Sequence, residues 1–560
     1  MSERIFIGVA WPYANGPLHL GHITGAYLPA DIFARYHRLK GNKVLMVSGS
    51  DQHGAPITIR AEQESTTPQE IAAKYHQQFL ECWKKLGISF DLFTTTGTSN
   101  HTQVTHDIFL TLLDKGYIYK DKMLQAYCPK CQRFLPDRYV EGTCPYCGFT
   151  KARGDECDAC GKPLSPVELK ELRCSLCSTP PRFESSEHFF LRLSAFQDKL
   201  TAWIKEQTHW RRNVLSSTWK FLNERLRDRA ITRDLDWGVT VPQPGFEHKR
   251  IYVWFEAVIG YLSASKEWAQ LLGDDTAWQA FWRDDAKSFY FIGKDNIFFH
   301  TLIWPTILMG YGGLSLPYDV PANEFLTIEG RKLSTSRSWA IWLDDYLERY
   351  APDALRYTLA VNMPETGDSD FSWREFLRRN NNELVATYGN LAHRVLTFSQ
   401  RHFDGVVPAP GELDQYSQRL LHEAKTVLDG VDELLYHCEF KGAIKEAMSL
   451  AQKANRYLDE QAPWKTIKAE RSPDKSGAAK SIFTVLSILA ALKTVFYPFL
   501  PFSSEKLHSY LGFDGSVKES GWKIQFLPPG QKLRPPQPLF VKLDEDIVAQ
   551  ESNRLGSPGR

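Results

Sequence analysis

A chain of 560 residues is long enough to hold several domains with substantial cores. Its 67 Lys and Arg residues nearly balance 66 Asp and Glu residues, for a formal net charge of +1. This balance excludes a surface that is basic throughout, so any nucleic-acid binding must depend on local patches. The first ten residues, MSERIFIGVA, are too short and too acidic for a signal peptide, and we expect a cytoplasmic protein.

The N-terminal segment predicts a β–α–β unit of an open α/β sheet. Residues 5–11 form an apolar run typical of a buried parallel strand, residues 23–40 have helical spacing, and residues 44–47 form a second apolar run. The turn-rich PYANGPLHLGH follows the first strand, and SGSDQHG follows the second. Because open α/β sheets bind ligands beyond the carboxyl ends of their strands, both segments are candidates for a binding site. The chain contains neither G-x-G-x-x-G nor a Walker P-loop.

An H-x-G-H signature, His19 to His22, stands at the predicted start of this helix. A helix N-terminus presents free backbone N–H groups and a positive dipole end, which favour an anion such as phosphate. Two histidines one turn apart can face the same phosphate and stabilise charge that develops on it. Gly21 lacks a Cβ, so a flat base or ribose could lie on its backbone. The pattern alone also fits two core histidines.

Eight of the ten cysteines lie in residues 128–177, within a predicted insertion of residues 116–235. They form four C-x-x-C pairs: CPKC, CPYC, CDAC and CSLC. Without a secretion signal this pattern favours zinc over disulfides, and eight thiolates suit two closed structural sites. Gly148 and Gly161 follow the inner pairs, where a positive φ can turn an N–H toward sulfur, but the outer pairs lack this glycine. Spacing permits nested or adjacent pairing, and redox-active thiols are the alternative.

The second half of the chain predicts two further strands, at residues 250–254 and 289–292. The later loop EGRKLSTSR is basic and rich in small hydroxyl residues. Such a loop can close over a triphosphate and neutralise departing pyrophosphate, although on its own it also fits solvated surface.

The C-terminal third predicts helices from about residue 383 to residue 511. Its longest apolar run, residues 481–502, contains Lys493 and two prolines. The part before the lysine is only about half of the ~20 residues that cross a bilayer. We therefore expect a buried bundle helix and no membrane span.

The H-x-G-H signature and KLSTS (residues 332–336), which follow each other in this order along the chain, resemble the paired HIGH and KMSKS motifs of class I aminoacyl-tRNA synthetases. Longer segments are similar to the methionyl-tRNA synthetases of that class. AWPYANGPLHLGH resembles ALPYANG…HLGH, YVWFEAVIGY resembles YVWLDAPIGY, and FIGKDNIFFHTLIWP resembles FIGKD…FH…WP. RAITRDLDWG, DEQAPW and the clustered C-x-x-C pairs agree as well, and the resemblance extends from residue 5 to about residue 540.

The resemblance implies an α/β Rossmann-like class I catalytic core with an inserted zinc-knuckle connective domain, plus a C-terminal all-α anticodon-binding domain. The core would occupy residues 1–115 and 236–325, interrupted by the connective domain at residues 116–235. A region that carries the KLSTS loop and contacts the stem would follow at residues 326–382, and the anticodon domain with its tail at residues 383–560.

The resemblance also implies that methionine and ATP form methionyl-adenylate and pyrophosphate, after which tRNA(Met) accepts the methionyl group. Mg²⁺ would arrive with ATP, two structural zinc ions would bind the cysteines, and the enzyme would be a monomer. The implied catalytic residues are His19, His22, Lys332 and Thr335. ATP would contact His19, Gly21, His22, Lys332, Leu333, Ser334, Thr335 and Ser336. Methionine would contact Ala10, Trp11, Tyr13, Asp51, Trp254, Ala257, Tyr261 and His300.

The remaining implied residues bind metal and tRNA. The zinc ligands would be nested, with Cys144, Cys147, Cys157 and Cys160 around an inner ion and Cys128, Cys131, Cys174 and Cys177 around an outer one. The anticodon would be read by Asn390, Arg394, Pro463 and Trp464.

Three positions depart from the family's pattern. Thr335 stands where a second loop lysine is usual, Val258 where proline is common, and Asn296 where an apolar residue is common. Losing one charge-assisted phosphate contact would cost ~1.5–3 kcal/mol. The missing lysine keeps open a catalytically weakened paralogue that binds tRNA. A free-standing nucleotidyltransferase, which would share the H-x-G-H signature, is the other alternative, although the helical C-terminal third and the two-knuckle insertion argue against it.

Overall fold

The chain begins with alternating strands and helices. The computed structural model describes residues 2–135, 139–154, 157, 159–160, 162, 164–283, 285–334, 338–469 and 475–556. The first elements are β1 (Arg4–Val9), α1 (Leu20–His22), α2 (Leu28–Leu39), β2 (Lys43–Ser50), α3 (Ala55–Glu64), α4 (Pro68–Leu86), β3 (Leu92–Thr95) and α5 (Ser99–Asp114). A π-helical turn at Ile23–Tyr27 joins α1 to α2, so the helix predicted from residue 23 begins three residues earlier. Such turns frequently mark functional sites.

The insertion is built on a long antiparallel strand pair. Its elements are β4 (Ile118–Cys128), β5 (Arg133–Phe134), β6 (Val140–Thr143), β7 (Ala152–Arg153), β8 (Lys170–Cys174), β9 (Arg182–Leu191), α6 (Gln197–Glu206), α7 (Arg212–Asn223), β10 (Arg229–Ala230) and β11 (Thr232–Arg233). β4 pairs with β9 from Ile118 opposite Leu191 to Tyr127 opposite Arg182. The C-x-x-C pairs lie beyond this end of the ladder, where β6 pairs with β7 and β8 in a small sheet.

The second half of the core completes a parallel sheet. It contains β12 (Arg250–Ile251), α8 (Val253–Leu271), β13 (Ala286–Gly293), α9 (Trp304–Tyr311) and β14 (Ala322–Asn323). The five-stranded order is β14-β13-β1-β2-β3, and every pairing in it is parallel. The strand expected at residues 250–254 is wrong beyond Ile251. Tyr252 caps a helix instead, and its carbonyl accepts from the N–H groups of Phe255 and Glu256.

A small sheet carries the KLSTS segment. The elements here are β15 (Leu326–Ile328), β16 (Arg331–Lys332), α10 (Leu343–Arg349), α11 (Pro352–Val361), β17 (Ser369–Phe371) and α12 (Trp373–Arg378). β15 lies between β16 and β17. Glu329 and Gly330 both have positive φ, 49° and 72°, and make the tight turn from β15 to β16.

The described part of the C-terminal third consists of helices and the loops that join them, after a π-helical segment at Arg379–Gly389. Its helices are α13 (Asn390–His402), α14 (Gln415–Tyr436), α15 (Phe440–Gln461), α16 (Pro463–Ala469), α17 (Ser476–Phe496), α18 (Pro501–Tyr510), α19 (Val517–Ser520) and α20 (Asp546–Arg554). Of the described helices, only α17 is long and apolar enough to cross a membrane, and 89% of its most apolar window is buried inside the protein. It packs against α14 and α15 as a central helix of the bundle.

Two sets of contacts join the helical region to the core. Arg356, fully buried on α11, donates to Asp31 of α2 at 2.7 Å and to the Phe499 carbonyl before α18 at 2.7 Å. Farther along, α20 packs on α12, and Glu551 accepts a 2.7 Å hydrogen bond from the Tyr350 hydroxyl. Just past α20, the Gly556 N–H donates to the carbonyl of Ser338 at 3.1 Å, so the tail reaches the base of the KLSTS loop.

Candidate active site

The two signature histidines stack at the start of α1. Their ring centroids lie 3.8 Å apart, and the His19 backbone N–H donates to His22 Nδ1 at 3.1 Å. Because that nitrogen accepts, the neutral His22 ring carries its proton on Nε2. Burial lowers the pKa of His22 to about 4, and burial together with His22 lowers the pKa of His19 well below its usual value. Both rings are therefore neutral N–H donors, and a bound phosphate would raise their pKa values.

The KLSTS segment lies directly on the H-x-G-H segment. A Cβ added at Gly21 would meet Leu333 Cδ1 at 2.6 Å, so the space that we expected a base or ribose to use is filled by Leu333 here. The backbone behind the loop continues the contact, since the Leu20 N–H donates to the Ile341 carbonyl at 3.2 Å. Two signatures that are distant in sequence thus form one site.

Lys332 is exposed at the end of β16, with its Nζ 5.7 Å from the Phe325 ring centroid. Ser334 and Trp339 exchange two backbone hydrogen bonds, at 3.1 and 2.9 Å, and so close the base of the loop. The residues predicted to contact ATP from within the loop, Thr335 and Ser336, lie outside the described residues. The described part of the segment therefore presents one exposed lysine, next in sequence to the leucine that covers Gly21.

Asp51 follows β2 and is 3% exposed. Its backbone N–H donates to the Pro12 carbonyl and its carbonyl accepts from the Ala14 N–H, both at 2.8 Å. These bonds hold the ends of the first two strands together. Burial raises the pKa of Asp51 well above its usual value, and the nearby Glu256 carboxylate raises it further. An ammonium group bound beside Asp51 would lower that pKa again, so the site favours a cationic substrate group.

Four of the predicted pocket residues form two hydrogen-bonded aromatic pairs. The Trp254 indole N–H donates to the Tyr13 hydroxyl at 2.8 Å. The Tyr261 hydroxyl donates to His300 Nε2 at 2.8 Å, while His300 Nδ1–H donates to the Asn296 carbonyl at 2.9 Å. Burial lowers the pKa of His300 to about 4, so this ring is neutral and its tautomer is fixed.

Trp11 lies between two glycines. A Cβ at Gly49 or Gly260 would approach its ring to 2.2 or 2.7 Å, so neither position tolerates a side chain without displacing the indole. The Ala10 carbonyl before it accepts from the Tyr27 hydroxyl at 2.8 Å. Ala257 is half-buried on α8, between Trp254 and Tyr261 in sequence.

Sequence reasoning missed a buried carboxylate, Glu256, in the middle of this site. It is 0% exposed and accepts hydrogen bonds from His53 and His101. The available signal was an acidic residue within the otherwise apolar YVWFEAVIGY. The strand predicted at residues 250–254 also hid the start of α8, the helix that carries both Glu256 and Tyr261.

The eight clustered cysteines form two groups in the nested arrangement. Within each group, the four sulfur atoms all lie within 4.8 Å of one another. The Cys128–Cys177 and Cys131–Cys174 sulfurs are 3.4 and 3.9 Å apart. A tetrahedral ZnS₄ site with Zn–S distances of about 2.3 Å needs sulfurs about 3.8 Å apart. The donor set and spacing of the second group, Cys144, Cys147, Cys157 and Cys160, fit equally well, with separations of 3.6 and 3.9 Å.

The outer pairs make the knuckle turn without glycine. Gln132 and Ser178 follow the second cysteine of the outer pairs and have φ of 52° and 59°, beside 75° at Gly148 of an inner pair. Ser178 N–H donates to the Cys174 carbonyl at 2.9 Å, as the Gly148 N–H does to the Cys144 carbonyl at 3.1 Å. The absence of glycine therefore does not prevent the outer pairs from adopting this turn.

The predicted anticodon residues lie apart from this site in the helical region. Asn390 is exposed at the start of α13, and Arg394 lies one turn later. The Arg394 guanidinium is 4.9 Å from the Trp464 ring centroid and pairs with Asp459 at 2.8 Å. Pro463 is the first residue of α16, and Trp464 follows it. The Arg394 guanidinium thus lies over the Trp464 indole, and both are groups on which unpaired bases can stack.

Comparisons with known proteins identify the family of both parts of the chain. The family described as tRNA synthetases class I (M) matches residues 5–396, and the anticodon binding domain of methionyl tRNA ligase matches residues 407–559. A methionine–tRNA ligase from Dehalococcoides mccartyi is 60% identical and covers 99% of this chain and 100% of that protein. One from Thermomicrobium roseum is 52% identical, with 100% of both chains covered.

Among solved structures, Mycobacterium tuberculosis methionyl-tRNA synthetase in complex with methionyl-adenylate has a TM-score of 0.81 at 26% identity, covering 96% of this chain and 99% of that one. The matched families span both the core and the helical region, and the curated relatives match end to end. The chain therefore belongs to the methionyl-tRNA synthetases, a family of class I aminoacyl-tRNA synthetases.

Proposed function

We propose that this chain is a methionine–tRNA ligase, which converts ATP, L-methionine and tRNA(Met) to methionyl-tRNA, AMP and pyrophosphate through methionyl-adenylate. The observation that carries the proposal is the contact of Leu333 with Gly21 beside the His19–His22 pair. It brings the basic loop and the helix N-terminus to one place, where a triphosphate can be held at both ends.

In the first step the methionine carboxylate attacks the α-phosphorus and pyrophosphate leaves. The neutral His19 and His22 rings donate hydrogen bonds to the phosphate as negative charge grows on it. Lys332 supplies positive charge to the departing pyrophosphate. The buried Asp51 carboxylate holds the α-ammonium and so orients the attacking carboxylate.

Methionine specificity comes from the aromatic walls of the pocket. Trp11, Tyr13, Trp254 and Tyr261 suit a thioether, because sulfur packs favourably against ring edges. The hydrogen bonds from Trp254 to Tyr13 and from Tyr261 to His300 fix these side chains before substrate arrives. Rejection of smaller apolar amino acids is left to this pocket, where one methylene is worth ~1–3 kcal/mol.

In the second step a ribose hydroxyl at the 3′ end of tRNA takes the methionyl group and releases AMP. Asn390, Arg394, Pro463 and Trp464 read the CAU anticodon, with the indole as a stacking surface. The two cysteine clusters would each hold a structural zinc, which would close the folds of the insertion. Mg²⁺ enters on the ATP phosphates, and the protein acts as a monomer in the cytoplasm.

The test measures the two steps separately. Methionine-dependent ATP–pyrophosphate exchange reports adenylation, and charging of tRNA(Met) transcripts reports the whole reaction. We expect both in the purified chain, with Trp464→Ala lowering charging at least ~10-fold while exchange is unchanged, because Trp464 lies in the anticodon region and has no assigned part in adenylation. A folded chain without methionine-dependent exchange would instead be a tRNA-binding paralogue. Charging that does not depend on the anticodon would mean that Trp464 has no part in anticodon recognition.

A further inference from the structure

Glu256 is a fully buried carboxylate on α8, and both of its oxygens accept short hydrogen bonds. His53 Nδ1–H donates to Oε1 and His101 Nε2–H donates to Oε2, each at 2.7 Å. The exposed fraction of the Glu256 residue is 0%, and that of His101 is also 0%. One carboxylate therefore bridges two imidazoles that come from separate parts of the chain.

The bridge joins α5 to two elements that carry predicted residues of the amino-acid pocket. His53 lies in the turn after β2, only two residues from Asp51, and His101 lies in the first turn of α5. Glu256 itself shares α8 with Trp254 and Tyr261, which form the aromatic wall. The wall and the carboxylate that we assign to the substrate ammonium are thus tied together through Glu256.

The connection continues from His53 to Asp51 by direct contact. The His53 backbone N–H donates to Asp51 Oδ1 at 3.2 Å, so the position of His53 fixes the orientation of that carboxylate. On the other side, His101 Nδ1 lies 2.9 Å from the Ser263 hydroxyl, which holds the same ring to α8 a second time. The charged or titratable groups around Glu256 are therefore Asp51, His53 and His101.

Stability alone gives little reason for a charge at this depth. A buried ion pair often contributes no more than apolar residues of the same volume, because desolvation offsets the attraction between the charges. What such a network does supply is a fixed geometry, since each hydrogen bond constrains both partners. Fixed geometry matters most where a substrate must be held between two elements, as it is here.

We propose that Glu256 is a positioning residue for methionine, which holds His53 against α8 and thereby sets the distance between Asp51 and the aromatic wall. This inference rests on the proposed function, in which Asp51 binds the substrate ammonium. Glu256 does not touch the substrate itself. Its removal should consequently weaken methionine binding without altering the ATP side of the site.

The first experiment compares Glu256→Gln with the parent chain in pyrophosphate exchange. Glutamine keeps the size of the side chain but offers only one oxygen, so one imidazole loses its acceptor. We expect the KM for methionine to rise about 10-fold or more, with a smaller change in kcat and an unchanged KM for ATP. Glu256→Asp, which keeps the charge but is one methylene shorter, should recover part of the loss.

A matched control is Asp353→Asn, at a carboxylate that is 4% exposed and accepts a 2.7 Å hydrogen bond from the Ser503 N–H outside this site. It should lower the melting temperature while leaving the KM for methionine unchanged. If Glu256→Gln does not fold, His53→Gln breaks the same link from the other side. An unchanged KM for methionine in a folded Glu256→Gln or His53→Gln overturns the inference.

A double-mutant cycle with Asp51→Asn separates positioning from a general structural role. If Glu256 acts through Asp51, Glu256→Gln should have little further effect on kcat/KM for methionine in the Asp51→Asn background. Fully additive effects would contradict that route. If Asp51→Asn alone leaves kcat/KM for methionine unchanged, the proposed role of Asp51 is wrong. If Asp51→Asn lowers kcat/KM for methionine but Glu256→Gln does not, only the positioning role of Glu256 is rejected.

Discussion

Gly21→Ala is the sharpest test of the contact between the two signatures. The added Cβ would lie 2.6 Å from Leu333 Cδ1 and 3.0 Å from His19 Cε1. Carbon atoms pack best at about 3.5–4.0 Å, so the leucine methyl must retreat by about 1 Å. That retreat moves the loop, or the His19 ring, away from the position that we assign to the phosphates.

The expected magnitude follows from the same geometry. Gly21 lies in α1 and does not have a positive φ, so alanine at this position should raise helix stability by ~0.5–1 kcal/mol. A ~1 Å misplacement of groups around a reacting centre can cost ~100-fold in rate, or about 2.7 kcal/mol. We therefore expect adenylation to fall about 10- to 100-fold in a protein that is no less stable.

The assay is pyrophosphate exchange at saturating methionine, with the melting temperature measured alongside. Gly25→Ala is the matched control, because it lies one turn further along and its added Cβ meets nothing within 4 Å. It should keep full activity. The double variant Gly21→Ala/Leu333→Ala removes the clash with the Leu333 side chain but keeps the close approach to His19. It should therefore regain part of the activity lost in Gly21→Ala. Full activity in Gly21→Ala, or equal losses in both glycine variants, would refute the contact as a functional feature.

Three further outcomes are expected. Lys332→Ala should lower pyrophosphate exchange at least ~100-fold, whereas Thr335→Lys should keep or raise the exchange rate, because the new lysine adds a cation where negative charge accumulates. An exchange rate that is unchanged in Lys332→Ala would mean that the loop acts differently. Elemental analysis should find two zinc ions per chain, and Cys174→Ser should lose one; loss of both or of none would contradict two separate sites. Burial lowers the pKa of His37 to about 3, so the unfolded chain binds the extra proton below pH ~6.5 and stability falls as pH drops toward 3. In His37→Gln, the urea concentration at the unfolding midpoint should fall less steeply between pH 6 and 4. An unchanged slope would mean that His37 does not contribute to acid unfolding.

Sequence reasoning predicted the strands whose apolar runs are bounded by turns. β1, β2 and β13 were expected within a few residues of their ends, because a strand buried on both faces is continuously apolar. The same rule failed at residues 250–254. α8 is buried on most sides, so its first residues, Val253 and Trp254, look like strand although they begin a helix.

Contacts between distant segments could not be predicted in the same way. Spacing alone left the pairing of the cysteines open, and only the fold groups Cys128 with Cys174. Likewise, the sequence contains no sign that Leu333 covers Gly21, because that contact depends on how β16 is placed. Glu256 was visible as an acidic residue in an apolar stretch, but its two histidine partners come from other elements.

The nesting of the cysteine clusters has a consequence for synthesis on the ribosome. Cys128 and Cys131 are made first, yet their partners Cys174 and Cys177 are made only after the inner group is complete. At about 5–20 residues per second, the segment from Cys160 to Cys174 takes about one to three seconds to add. If the clusters bind zinc as proposed, the inner one can close before the partners of Cys128 and Cys131 have been made, and metal would load from the inside outward.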